Sequence, residues 1–145
     1  MINTILVTDD NALDNAVLRN YLSHERLNMV SALNGREALD LLESRNIDVI
    51  VLDMVMPVMD GLAFLSEFKK TEYYGTVPII VATHQDQPET IQKVLCEYEI
   101  FDYIIKPLDH INRLIVVNKI KSGIRYRNAL KELAALKKER LHEQN

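Results

Sequence analysis

The chain holds one cysteine, Cys96, in 145 residues, so an internal disulfide is excluded. Its setting, Val94-Leu95-Cys96, reads as a small buried filler. An excess of positive charge is missing too: 17 Lys and Arg stand against 21 Asp and Glu, a formal net charge of −4. No whole-molecule field draws in a polyanion, so direct nucleic-acid binding by this segment is not expected. Long apolar runs are also lacking. No stretch is long enough to cross a bilayer, and Met1 leads into Ile5-Leu6-Val7 without a basic leader before a signal-length apolar segment, so a cytoplasmic location and no membrane partner are expected. His24, His110 and His142 share no ligand-like spacing with one another or with Cys96, which argues against a transition-metal site.

What the chain does have is the composition of a soluble globular protein, 48% apolar and 26% charged. Its length suits a single core with an appendage. Short β-branched runs alternate with stretches of helical period. The strand candidates are Ile5-Leu6-Val7, Met29-Val30 with Ala32, Val49-Ile50-Val51-Leu52, Ile79-Ile80-Val81 and Tyr103-Ile104-Ile105. The runs at Val49 and Ile79 are apolar throughout, as expected of central parallel strands covered on both faces. Between the strands lie helical spacings of Leu13, Val17, Leu18 and Leu22, of Ala38, Leu41 and Leu42, of Leu62, Leu65 and Phe68, and of Ile91, Val94 and Leu95. Asn34-Gly35, Asp60-Gly61 and Tyr74-Gly75 supply turns. This alternation predicts right-handed crossovers and an α/β, doubly wound parallel sheet, whose ligands sit beyond the carboxyl ends of the strands.

At those ends the chemistry is concentrated. The first strand runs into Asp9 and Asp10, the third into Asp53, the fourth into Thr83 and the fifth into Lys106. Three carboxylates gathered at one edge would repel by roughly 4 kcal/mol per pair at ~4 Å and an effective dielectric of about 20. Lys106 offsets part of this, and a compact set of oxygen ligands still short of positive charge is what a hydrated divalent cation selects. Such a cation would stabilise charge on a phosphoryl group arriving at Asp53.

In order and spacing, Asp9-Asp10, the run Val51-Leu52-Asp53-Met54-Val55-Met56-Pro57-Val58-Met59-Asp60-Gly61, Thr83, and Tyr103-Ile104-Ile105-Lys106-Pro107 resemble the receiver domains of two-component response regulators. The resemblance spans about residues 3–121. It implies a flavodoxin-like sheet of five parallel strands in order 2-1-3-4-5, a receiver over residues 1–122, and an extended C-terminal helix over 123–145. It also implies Asp53 as phosphoacceptor from the phosphohistidine of a histidine kinase or phosphotransfer protein. Mg²⁺ (or Mn²⁺) would be held by Asp10, Asp53 and the backbone carbonyl of Val55, with Asp9 acting through metal-bound water. Lys106 would contact the phosphoryl oxygens, and the Lys106-Pro107 bond would be cis. Thr83 and Tyr103 would form the switch, altering the surface of the fourth helix, fifth strand and fifth helix.

Three residues depart from the family's usual pattern near the acceptor. His84 replaces a small residue after Thr83 and either crowds the entrance to Asp53 or points into solvent. Val55 and Gln85 stand where side chains flank the hydrolytic water, and valine cannot orient it, so slow phosphorylation by small donors and slow loss of the phosphoryl group are expected.

The tail reads as a helix capped by Asp109 and carrying Ile111, Leu114, Ile115, Val117 and Ile120, with Gly123 as a local breaker. Beyond it, Tyr126, Leu130, Leu133 and Leu141 form a sparse apolar seam among mixed charges. This resembles a linker to an output domain, diguanylate cyclase among the candidates, and a seam able to pair two chains. Two other readings remain. A haloacid-dehalogenase-type phosphatase also uses an aspartyl phosphate, but carries a second aspartate where Val55 stands. A degenerate receiver could serve as a protein-interaction scaffold, against which the complete acidic set argues.

Overall fold

The computed structural model describes residues 2–84 and 88–144. Strands β1 (Asn3–Thr8), β2 (Leu27–Ala32), β3 (Val49–Asp53), β4 (Ile79–His84) and β5 (Asp102–Lys106) alternate with helices α1 (Ala12–Ser23), α2 (Gly35–Ser44), α3 (Gly61–Phe68), α4 (Pro88–Glu97) and α5 (Arg113–Glu143). All strand pairs are parallel and the order is β2-β1-β3-β4-β5, the expected doubly wound arrangement.

The unbroken apolar runs now have a physical account. Along β3, Ile50 and Leu52 face a core built with Ala38, Leu42, Phe64, Phe68 and Val94. Val49 and Val51 face a second core with Leu18, Leu22, Val116 and Ile120. Helices α2, α3 and α4 therefore cover one face and α1 and α5 the other, so both sides of a central strand must be apolar. The helix starts are set by side chains that accept otherwise unpaired N–H groups: Asn11 from Asp14, Asn34 from Glu37 and Asp60 from Ala63.

Several local expectations are corrected. Cys96 is exposed, because Val94 is the residue of that trio turned into the core. Leu13 is 67% exposed while Leu18 and Leu22 are buried, so the inward stripe of α1 begins one turn later than expected. Asp109 does not cap the last helix. It lies in a 3₁₀ turn, Leu108–His110, closed by the Ile111 N–H donating to the Leu108 carbonyl, and Asn112 caps α5 instead, accepting from the Leu114 N–H at 2.8 Å. Gly123 does not break the helix. A Cβ there would lie 3.2 Å from Val49 Cγ2, so the glycine serves the close approach of α5 to β3.

Helix α5 stays against the domain beyond Gly123. Ile124 is buried, the rings of Tyr126 and Phe101 are 5.4 Å apart, and Arg127 reaches Asp48. Asp48 is 5% exposed. Its Oδ2 accepts the Thr4 N–H at 2.9 Å, and its Oδ1 lies 3.2 Å from Arg127 Nε and 3.6 Å from Lys131 Nζ. Arg127 Nη1 also donates to the Thr76 carbonyl at 3.1 Å. Past this latch, Leu133, Leu136 and Leu141 are exposed. Removing one partner of a buried ion pair leaves the other charge uncompensated. Arg127→Ala is therefore expected to lower stability by about 1–3 kcal/mol in urea unfolding, and the double variant with Asp48→Asn to recover part of that loss.

Candidate functional site

The parallel strands bring the ends of β1, β3, β4 and β5 to one rim. Asp9, just after β1, is 4% exposed, and its Oδ1 accepts the Asn11 N–H at 2.9 Å. Asp10 beside it is exposed. Asp53 closes β3 at 7% exposure, and its Oδ1 accepts the Val55 N–H at 3.3 Å. Gly61 lets α3 start against this strand end: a Cβ there would lie 2.7 Å from the Met54 Cα and 2.9 Å from the Asp53 carbonyl oxygen. Between them the chain turns through Val58 at φ 66, a strained conformation for a β-branched residue, with its side chain in solvent.

The charge that ties the rim together is Lys106. Its side chain is 2% exposed, and its Nζ lies 2.7 Å from Asp9 Oδ2, 2.8 Å from Asp14 Oδ2 and 3.5 Å from Asp53 Oδ2. The following peptide, Lys106-Pro107, is cis. Asp14 was not among the residues the sequence singled out. It sits in the first turn of α1, where an acid is ordinarily read as a complement to the helix N-terminus.

Thr83 is the buried penultimate residue of β4, and the exposed His84 that ends the strand is the register partner of Lys106 on β5. Tyr103 is 44% exposed on β5, and Val55 is 56% exposed beside Asp53. Gln85 lies outside the described residues.

Among the described residues, Asp9, Asp10 and Asp53 form a group whose carboxylate oxygens lie within 4.8 Å of one another. These are hard oxygen donors, two of the residues buried and one open to water, which fits a cation that keeps part of its hydration shell. The neighbouring Lys106 adds one positive charge to an excess of carboxylate, so a divalent ion is electrostatically welcome.

Burial raises the Asp53 carboxyl; Lys106 pulls it down, Asp9 lifts it again and the Val55 N–H opposes, leaving it at about 6 against an ordinary 3.8. Burial would lower the Lys106 ammonium, but Asp14 and Asp9 outweigh it and hold that group above its ordinary value. Lys106 therefore stays charged across the neutral range. For Asp53 the folded value exceeds the unfolded one, so without metal its contribution to stability is complete below pH 3.8 and is lost as pH rises through about 6. Asp53→Asn cannot ionise. Relative to the parent in EDTA it is expected to gain roughly 1–3 kcal/mol between about pH 4 and pH 8, read by urea unfolding. Parallel pH profiles for the two proteins would contradict this assignment.

The sequence matches the response regulator receiver domain family over residues 5–118. It is 32% identical over 121 residues to the CAI-1 autoinducer sensor kinase/phosphatase CqsS of Vibrio cholerae, covering 83% of this chain and 17% of that protein. It is 34% identical over 131 residues to the regulatory protein AtoC of Escherichia coli, covering 86% of this chain and 28% of that protein. The chain thus spans well under a third of the length of either relative. The fold is similar to the signal receiver domain of an HD domain-containing protein from Pseudomonas fluorescens, with a TM-score of 0.81, 24% identity, and coverage of 90% of this chain and 93% of that one. With the family matched across most of the chain and the acidic rim assembled around Lys106, the protein belongs to the response regulator receiver domains.

Proposed function

We propose that Asp53 accepts a phosphoryl group from the phosphohistidine of a histidine kinase or phosphotransfer protein. Asp10, Asp53 and the backbone carbonyl of Val55 would hold Mg²⁺ (or Mn²⁺), with Asp9 acting on it through water. The observation that carries this reading is the position of the Asp53 carboxylate at the end of β3, 3.5 Å from Lys106 Nζ and within 4.8 Å of its acidic neighbours' oxygens. A cation bound there would supply charge that offsets the negative charge on the phosphoryl group. An Asp53 carboxylate oxygen bonds to phosphorus, the bond from phosphorus to the donor nitrogen breaks, and the imidazole departs with that electron pair. Lys106, itself buried, then holds phosphoryl oxygens.

The buried Thr83 hydroxyl moves onto the phosphoryl group, and the half-exposed Tyr103 turns into the space it leaves. This alters the face of α4, β5 and α5, a local charge event biasing a two-state surface. The names of the relatives, a sensor kinase/phosphatase and a regulatory protein, support a module working inside longer signalling chains. The part of α5 beyond Lys131, which no longer packs on the domain, acts as its helical linker. The exposed Leu133, Leu136 and Leu141 suit pairing of two chains or contact with an output domain such as a diguanylate cyclase. The receiver acts only on its own phosphoryl group and does not turn over free substrate.

Incubating the chain with phosphoramidate and Mg²⁺ is expected to add one acid-labile phosphoryl group by mass spectrometry, lost in Asp53→Ala and in EDTA; undiminished labelling of Asp53→Ala would end the proposal. The exposed Val55 stands two residues after Asp53, and its aliphatic side chain offers an attacking water no hydrogen bond. Phosphoryl loss is therefore slow, and Val55→Asn is expected to speed it several-fold in a phosphate-release assay. An unchanged rate would remove Val55 from the account of the phosphoryl lifetime.

A further inference from the structure

Lys106 makes its two short contacts away from the phosphoacceptor. Its Nζ is 2.7 Å from Asp9 and 2.8 Å from Asp14, against 3.5 Å from Asp53. Asp14 lies outside the group of acids able to hold a cation, which is Asp9, Asp10 and Asp53. Its side chain is nonetheless only 14% exposed. An acid serving only the positive end of a helix can do so while facing water.

The local backbone holds Asp14 at this spot. Its N–H donates to Asn11 Oδ1 at 2.9 Å. Asn15 Nδ2 donates to the carbonyl oxygens of Asp9 and Asn11, both at 2.9 Å. The first turn of α1 is thereby stapled to the segment that carries Asp9, and the Asp14 carboxylate is kept on the ammonium.

We propose that Asp14 is a positioning residue that draws Lys106 off Asp53, leaving the acidic rim more receptive to a divalent cation and less receptive to the phosphoryl group. The inference rests on the phosphoacceptor reading of Asp53. Its sign follows from charge. Deleting the Asp14 charge makes the rim more positive and releases Lys106 towards Asp9 and Asp53, where it competes with the cation. The same change adds attraction for an anion at Asp53. One substitution therefore moves the two affinities in opposite directions, whereas a purely structural loss lowers both.

The test uses the full chain as wild type, Asp14→Asn and Asp14→Glu. Mg²⁺ affinity is measured by calorimetry, and beryllofluoride affinity by NMR titration at saturating Mg²⁺. For Asp14→Asn the expected results are a roughly three- to tenfold weaker Mg²⁺ affinity and a tighter beryllofluoride affinity by a similar factor. Asp14→Glu, which keeps the charge, is expected to stay near wild type on both probes. Joint weakening by Asp14→Asn, or no change in either affinity, overturns the proposal. A wild-type chain that binds neither probe overturns the phosphoacceptor reading and this inference together.

Discussion

A single buried ammonium shared among three carboxylates organises the working edge of this molecule. Lys106 is nearly without solvent, so its charge is tolerable only because Asp9 and Asp14 lie within 3 Å and Asp53 slightly farther off. The dependence is mutual. Asp9 and Asp53 are themselves buried, and without Lys106 their repulsion in a poorly screened setting would open the strand ends. Even with it the balance is incomplete: burial and Asp9 leave the Asp53 carboxyl well above its ordinary value. An acid in that condition gains from an added cation, and phosphoryl chemistry makes use of that gain.

The sheet makes this arrangement possible. Parallel strands point their carboxyl ends the same way, so residues far apart in the chain meet at one rim without any loop reaching across. Strand β3 lies in the middle of the order and is covered by helices on both faces. It carries Asp53 at its carboxyl end, while Asp48, just before its first residue, grips Arg127 of α5 at the other. One rigid strand thus joins the acidic rim to the anchored part of the C-terminal helix. Beyond Lys131 the leucines of α5 face solvent, so packing against the domain no longer holds that segment.

How far the sequence could be read differs residue by residue. Asp9, Asp10 and Asp53 were legible because each ends an apolar run, and a strand buried on both faces has no structural reason to stop at a carboxylate. Lys106 was legible on the same grounds, before Pro107. Asp14 was not, since an acid in the first turn of a helix is ordinary and only the fold turns it onto Lys106. The Asp48–Arg127 latch was hidden likewise, with 79 residues separating its partners. Asn112 and Asp109 are near-equal helix caps by type, so packing had to choose between them. Gly123 shows the limit from the other side: the lack of a side chain reads as a break in the helix, but it is used for contact with Val49.

Hydrophobic period, turn residues and the acids at strand ends are local properties, so the alternation of strands and helices, the layered sheet and the rim where the chemistry sits follow from the order of residues along the chain. Which charges meet there is a different kind of fact. Lys106 and Asp9 are 97 positions apart, and their 2.7 Å contact exists only after β1, β3, β4 and β5 are aligned. The tertiary structure alone decided how one ammonium is divided among Asp9, Asp14 and Asp53, because Coulomb energy depends on distance through space and burial, and neither is written along the chain.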